Sequence, residues 1–155
     1  MNAVKIKCRA LMVGDWITDN HGFQWQITNV GDDYAYATFE GNEGDPWEFN
    51  DKDDQPEGIP LTKEMLYANG FRYEEEHGQF YRSILGSHYY MSEYCVCVEC
   101  RETSEGSKIC YIECAKNNDD RREKIVCVME ALFVHTLQHA LRVVGLSEIA
   151  DNFKV

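Results

Sequence analysis

The chain has 155 residues, 44% of them hydrophobic, which suits one ordinary domain or two tightly joined small ones and excludes disorder of the chain as a whole. It carries 15 lysines and arginines against 27 aspartates and glutamates, a formal charge of -12. This balance disfavours nucleic acids and anionic membranes as partners and favours a basic protein surface. It leaves the oligomeric state open.

The first residues and the cysteines bear on the compartment. The N-terminal stretch MNAVKIKCRA has no long apolar segment of the kind a secretory signal needs. No stretch approaches the roughly 20 apolar residues of a membrane span. The seven cysteines are odd in number, which fits reduced thiols better than a disulfide framework. We therefore predict a cytoplasmic protein without membrane contact.

The first 50 residues predict a series of short strands, because apolar and polar residues alternate at period two. Val4, Ile6 and Cys8 would share one face of the first strand. Further strands are expected at residues 16–18, 23–27, 34–39 and 46–49. So few short strands cannot bury both faces of a flat sheet. An SH3-like small β-barrel over residues 1–58 is therefore the economical arrangement.

Residues 59–155 predict an α+β segment packed against the barrel as one unit. Thr62 is a good N-cap for a short helix over residues 63–68, which Gly70 would end. Antiparallel strands are then expected at residues 71–75, 79–85, 89–101 and 108–116. One long C-terminal helix, from residue 121 to about residue 144, would pack its apolar stripe on that sheet. The predicted fold class is therefore α+β.

The cysteines of the predicted hairpin invite a zinc hypothesis, since four thiolates could form a tetrahedral site. With the hairpin loop centred near residue 105, Cys100 lies opposite Cys110, and the positions that follow pair Val98 with Ile112. Only Cys100 and Cys110 would then be near neighbours. Reduced cysteine is also a small core residue, and this interpretation is the more economical one.

His135 and His139 stand four residues apart on the predicted long helix, which is metal-ligand spacing. The metalloprotease pattern needs glutamate directly after the first histidine, where this chain has Thr136. No third ligand is identifiable from the sequence. Packing of both rings at the margin of the apolar stripe is the simpler interpretation, and a metal site is the alternative.

Charge is concentrated between residues 31 and 58, where ten carboxylates face Lys52 alone, a net charge of -9. We call the stretch from Glu40 to Glu57 the acidic belt. It is either a solvated loop or a docking surface for a basic partner. The candidate interaction residues are Glu40, Glu43, Asp45, Trp47, Glu48, Asp51, Asp53 and Asp54.

Three blocks occur in a distinctive order: L-M-V-G-D-W at residues 11–16, I-P-L-T at 59–62 with G-F at 70–71, and V-H-T-L-Q at 134–138. Together they resemble a family of small proteins from genomes, prophages and conjugative elements of Bacteroides-type gut bacteria. The family pattern has Asn where this chain has Asp15, Gln where it has Thr136, and Asn where it has His139. The resemblance implies a shared fold, a mobile-element context and a shared role for His135 and Gln138. The alternative is that these two residues bridge helix and barrel by hydrogen bonds. It implies no reaction.

No phosphate-binding loop, dinucleotide fingerprint or serine nucleophile elbow is present in the sequence. We therefore nominate no catalytic residue and no cofactor, and an enzyme is the minority interpretation. The leading hypothesis is a non-enzymatic interaction protein, an accessory factor of a mobile element whose acidic surface meets a basic protein. The alternative is a metal-binding domain or metal-dependent enzyme that uses His135, His139 and cysteines.

Overall fold

The computed structural model describes the backbone of residues 4–74, 79–83, 94–102, 108–117, 123–130, 133–143 and 145–155, and the side chains of residues 4–72, 133–143 and 145–155. Within these ranges the chain has a mixed α+β architecture with two five-stranded antiparallel sheets and three short α-helices. None of these helices combines the length and the apolar character needed to cross a bilayer.

The first sheet contains β1 (Trp16–Thr18), β2 (Gln24–Val30), β3 (Tyr34–Thr38), β4 (Trp47–Asn50) and β5 (Glu57–Gly58). Its order is β4-β3-β2-β1-β5, so the last strand returns beside the first. A register shift between Ile27 and Asn29 marks a bulge, which bends β2. Side chains alternate between the two faces, and the buried face carries Ile17, Ile27, Ala35, Ala37 and Phe49.

The strand predicted for Val4, Ile6 and Cys8 is wrong in extent. Lys5 forms only an isolated bridge to Glu57, and a 3-10 helix, Cys8–Ala10, follows. Ile6 and Cys8 are buried in the core of the first sheet, whereas Val4 is half exposed. The alternation therefore identified Ile6 and Cys8 as inward residues correctly. The chain pairs with β5 only briefly, through Ile6 N to Pro56 O and Gly58 N to Val4 O, before the 3-10 helix begins.

The predicted helix over residues 63–68 is confirmed as α1 (Lys63–Ala68). The Thr62 hydroxyl accepts a hydrogen bond from the backbone N–H of Met65 at 3.2 Å, as an N-cap should. Gly70 has a φ of 83°, which provides the left-handed conformation that ends the helix.

The second sheet contains β6 (Arg72–Glu74), β7 (Gln79–Ser83), β8 (Tyr94–Glu102), β9 (Lys108–Asn117) and β10 (Glu123–Glu130), in the order β10-β9-β8-β7-β6. The predicted hairpin register is confirmed, because Cys100 pairs with Cys110 and Val98 pairs with Ile112. The sheet is a simple antiparallel meander, as successive short connections favour.

The long helix predicted from residue 121 to about residue 144 is wrong in its first half. Residues 123–130 form β10, and the helix α2 begins only at Val134 and ends at Val143. The sequence E-K-I-V-C-V-M-E is rich in β-branched residues, which favour a strand, and β9 provides an edge on which it pairs. Gly145, with a φ of 85°, follows α2, as expected for a glycine beyond a helix end.

A second core gathers α1, α2 and a last helix, α3 (Ser147–Asp151). Its fully buried members include Leu66, Phe71, Leu137 and Leu141. Trp16, at the start of β1, packs against this core from the first sheet, and its indole Nε1 donates to the backbone oxygen of Phe153 at 2.8 Å. The start of β1 is thereby held against the residues that follow α3, and polar side chains of α2 also meet the chain here.

Candidate functional site

Gln138, one of the two polar positions singled out in the sequence, is fully buried on α2. Its Oε1 accepts a hydrogen bond from the backbone N–H of Trp16 at 2.9 Å. Its Nε2 donates to the backbone oxygens of Gly14 at 2.9 Å and Ala150 at 2.8 Å. The Gln138 amide therefore links the start of β1 to α2 and α3. Gln138 thus bridges helix and sheet by hydrogen bonds, as expected.

Asp15, next to these contacts, has a fully buried carboxylate with two partners on α2, His139 and the guanidinium of Arg142. Its Oδ2 lies 2.6 Å from His139 Nε2, and its Oδ1 accepts from Arg142 Nη1 at 2.5 Å. The backbone N–H of Met12 also donates to Oδ2, at 2.8 Å. Arg142 in turn bonds Asp151 on α3. We call Asp15, Gln138, His139 and Arg142 the polar junction.

Gly14 lets the polar junction close. It has a φ of 89°, and a Cβ at this position would lie 2.8 Å from Arg142 Nη2. The guanidinium therefore reaches Asp15 over a residue that has no side chain to block it. Asp15 and His139 are thus direct contact partners. Neither this contact nor the role of Arg142 was predicted from the sequence.

His135 lies one turn before His139 and is only 7% exposed. Its ring stacks on Phe133 and meets the His139 ring edge to face, both with centroids 5.8 Å apart. Burial lowers the pKa of His135 to about 4, against an opposing effect of the Asp15 charge. Within the described part of the chain, its Nδ1 has no hydrogen-bond partner. His135 therefore acts as a neutral ring packed in the interior at neutral pH.

The histidine part of the metal hypothesis gains no geometric support. His139 directs Nε2 at Asp15, and no group of three or more His, Cys, Asp or Glu side chains among the described residues is placed to hold a metal ion. The cysteine side chains of the second sheet lie outside the described residues. The backbone register places Cys110 opposite Cys100 and Cys114 opposite Cys127. These pairs are four residues, or about 13 Å, apart along β9, too far to share one zinc ion with ligands at about 2.3 Å.

The structure divides the acidic belt into two kinds of carboxylate. Asp51 is mostly buried, accepts from the backbone N–H of Cys8 at 2.8 Å and lies 3.6 Å from Lys7 Nζ. Its pKa is lowered, chiefly by that backbone hydrogen bond. Burial, together with Asp51, raises the pKa of the Cys8 thiol to about 12, so Cys8 is not a nucleophile. Asp51 therefore anchors the N-terminal segment.

The loop between β3 and β4 carries the other kind of carboxylate: Glu40, Glu43 and Asp45 are all exposed. The loop is hydrogen-bonded, since Asn42 N donates to Phe39 O at 3.0 Å and Asp45 N donates to Asn42 O at 3.3 Å. The backbone N–H of Gly41 donates to Glu43 Oε1 and lowers the pKa of that carboxyl. No lysine, arginine or histidine occurs between residues 39 and 46. These carboxylates therefore have no basic neighbour in their own loop.

Three aromatic rings lie at the base of this loop, and we call Trp25, Phe39 and Trp47 the aromatic cluster. Ring centroids are 5.1 Å apart between Trp25 and Phe39 and 6.3 Å apart between Trp25 and Trp47. Phe39 is 41% exposed and Trp47 is 52% exposed, whereas Phe49 lies beneath them, fully buried. The cluster is thus a partly exposed apolar surface at the margin of the first sheet's core, against which Trp25 packs.

Carboxylates hold both indoles of the aromatic cluster in place. Trp47 Nε1 donates to Asp54 Oδ2 at 2.7 Å, and Trp25 Nε1 donates to Asp19 Oδ2 at 3.1 Å. Burial alone would raise the pKa of Asp19, but hydrogen bonds from Phe23 N–H and the Trp25 indole outweigh it and lower that pKa. Both rings are therefore oriented beside a negative charge.

The remaining candidate interaction residues lie around this end of the sheet. Glu48, on β4, accepts from the Tyr36 hydroxyl at 2.6 Å. Asp53 is exposed, and its backbone N–H donates to Asn50 Oδ1 at 2.8 Å. Trp25, Phe39 and Asp19 were not among the interaction residues predicted from the sequence. Strand alternation could have found the two rings, because both lie in phase with buried positions of neighbouring strands.

Comparison with known proteins adds no relative: no family model, no curated protein and no solved structure matches the chain.

Proposed function

We propose that the chain is a non-enzymatic protein-interaction factor whose acidic surface binds a basic protein. The observation that carries the proposal is the exposed loop of Glu40, Glu43 and Asp45 beside the aromatic cluster. Carboxylates with no basic residue in their own loop, together with exposed rings on one surface, are what a basic partner with some apolar contact would need. The net charge of -12 makes a phosphate backbone the poorer partner.

The polar junction supports a binding role over catalysis, because its groups are engaged with one another. Asp15 is buried between His139 and Arg142, and Gln138 uses both ends of its amide. A general base must reach a substrate proton, and a fully buried Asp15 does not. The junction therefore supports the fold around the surface that binds.

For the first sheet we propose an SH3-like barrel. The strand order β4-β3-β2-β1-β5 returns the last strand to the first, as such barrels do, and the bulge in β2 supplies curvature. The inner face of such a small barrel is filled by side chains, here Ile17, Ile27 and Phe49 among others. The aromatic cluster lies at the margin of this core, where Phe39 and Trp47 are exposed.

The resemblance to the Bacteroides-type family supports a role as an accessory factor of a mobile element. Two of the three blocks that carry it meet directly, because Gln138 accepts from the Trp16 N–H and donates to the Gly14 oxygen. A cytoplasmic location is proposed with this role, because seven cysteines fit a reducing compartment.

The test is an affinity capture from a host lysate with two baits, the wild-type chain and a triple variant, Glu40→Gln, Glu43→Gln and Asp45→Asn. We expect the wild type to retain a protein with a basic surface and the variant to lose it. Retention should weaken as salt rises, since exposed charge pairs are screened. Equal retention by both baits, or no partner at low salt, contradicts the proposal.

A further inference from the structure

The aromatic cluster adds a chemical requirement to the proposed acidic surface. Exposed charge alone attracts any basic partner, but a fixed indole face distinguishes one cationic side chain from another. Trp47 presents about half of its surface to solvent while its Nε1 is bonded to Asp54. The ring is therefore exposed and oriented, which limits the ordering cost of binding.

The electrostatics of the cluster favour a cation over a neutral apolar group. Each tryptophan donates its indole N–H to a carboxylate, so negative charge lies next to both rings. The face of an aromatic ring attracts cations, and tryptophan does so most strongly. Glu40, Glu43 and Asp45 add charge of the same sign on the adjoining loop.

The spacing of the rings excludes a deep cage. Trp25 and Trp47 have centroids 6.3 Å apart at an angle of 38°, and Phe39 packs its edge on Trp25. A cation therefore lies on the exposed outer face of Trp47, not between the two indoles. A flat group suits such a face better than a compact ammonium, because it stacks over the ring while its edge donates to carboxylates.

We infer that the aromatic cluster binds an arginine side chain of the basic partner, with the guanidinium stacked on Trp47 and its N–H groups directed at neighbouring carboxylates such as Asp54. This inference rests on the proposed function, since it names the anchor by which the acidic surface recognises its partner. Arginine is preferred to lysine because only its planar group satisfies the ring and the carboxylates together.

The experiment titrates the full chain with short capped peptides of alternating glycine and arginine, glycine and lysine, or glycine and citrulline, the neutral analogue of arginine. Nuclear magnetic resonance follows the indole N–H signals of the three tryptophans. Trp16 is an internal control, because its indole donates to Phe153 in the other core. We expect the arginine peptide to shift Trp25 and Trp47 but not Trp16, and to bind about threefold more tightly than the lysine peptide.

Trp47→Ala should weaken arginine-peptide binding about fivefold, whereas Tyr34→Ala should leave it unchanged. Tyr34 is a matched control, since it is 40% exposed and lies on the face of the first sheet opposite to Trp47. The Trp16 signal of each variant reports whether the fold is retained. Equal affinity for arginine and lysine peptides, with no loss in Trp47→Ala, overturns the arginine anchor but leaves the acidic surface standing. Failure of both charged peptides to bind at low salt overturns both proposals.

Discussion

The polar junction and the aromatic cluster both combine carboxylates with rings, and they differ in what faces the carboxylates. At the junction, Asp15 is buried between His139 and Arg142. At the cluster, Asp54 and Asp19 hold indole N–H groups, and the adjoining loop brings further carboxylates without a cation. A buried carboxylate with internal cations supports the fold, whereas exposed carboxylates without them remain available to a partner.

Among the substitutions considered, we expect the largest loss of unfolding free energy at Asp15, in the polar junction. Replacing Asp15 by Asn removes the buried carboxylate charge that pairs with Arg142 and that His139 Nε2 contacts. We expect the free energy of unfolding to fall by about 3 kcal/mol, because Arg142 loses its buried partner and keeps Asp151, which is more than half exposed. Urea denaturation measures this, with the exposed Asp53→Asn as control, expected within about 0.5 kcal/mol of wild type. A similar small effect for both variants would remove the junction's structural role.

Gln138→Leu also tests the polar junction, without changing its charge. The variant leaves the Trp16 N–H and the carbonyls of Gly14 and Ala150 without their amide partner. We expect a loss of about 2 kcal/mol in unfolding free energy, since unpaired buried polar groups are costly. Gln24→Leu, on the exposed start of β2, is the control. A stable Gln138→Leu protein would show that water or rearrangement replaces these bonds.

His135, beside the polar junction, makes the unfolding free energy depend on pH. Its pKa is about 4 in the folded chain and about 6.5 when unfolded, so the unfolded chain binds the proton more readily. The stability contributed by the neutral ring is therefore full above about pH 6.5 and is lost as the pH falls toward 4. Compared with His135→Leu, the wild type should lose about 2 kcal/mol more between about pH 7 and about pH 5. Parallel pH profiles of the two proteins in urea denaturation would contradict this.

In the aromatic cluster, Trp47→Ala should lower the unfolding free energy by less than about 1 kcal/mol, because half of the side chain is already exposed. The affinity for the arginine peptide provides a control. Gln138→Leu, although less stable, should bind this peptide as tightly as the wild type at a temperature where the variant is folded. A large loss of stability in Trp47→Ala would mean that the cluster belongs to the core.

Local patterns predicted much of the fold. Thr62 and Gly70 delimited α1, and a loop centred near residue 105 gave the register of Cys100 with Cys110, because caps and hairpin pairing are set by nearby residues. The segment over residues 123–130 fits both a helical stripe and a strand. Pairing with β9 selects the strand, and that edge is not visible in the segment itself.

The candidate site was predictable only in part. The acidic belt and Trp47 follow from the local composition. Gln138 was singled out by the resemblance at residues 134–138, and its hydrogen bonds to Trp16 and Gly14 could not be read from the sequence. The contact of Asp15 with His139 joins positions 124 residues apart, and no local pattern relates them. Burial separates Asp51 from the exposed carboxylates of the same belt, which a charge count does not distinguish.

We conclude that the exposed carboxylates beside the aromatic cluster bind a partner and do not stabilise the fold. The decisive measurement is the affinity of the triple variant Glu40→Gln, Glu43→Gln, Asp45→Asn for the arginine peptide at low salt. We expect this affinity to fall about tenfold while the unfolding free energy stays within about 0.5 kcal/mol of wild type. Unchanged affinity in a folded triple variant would contradict it.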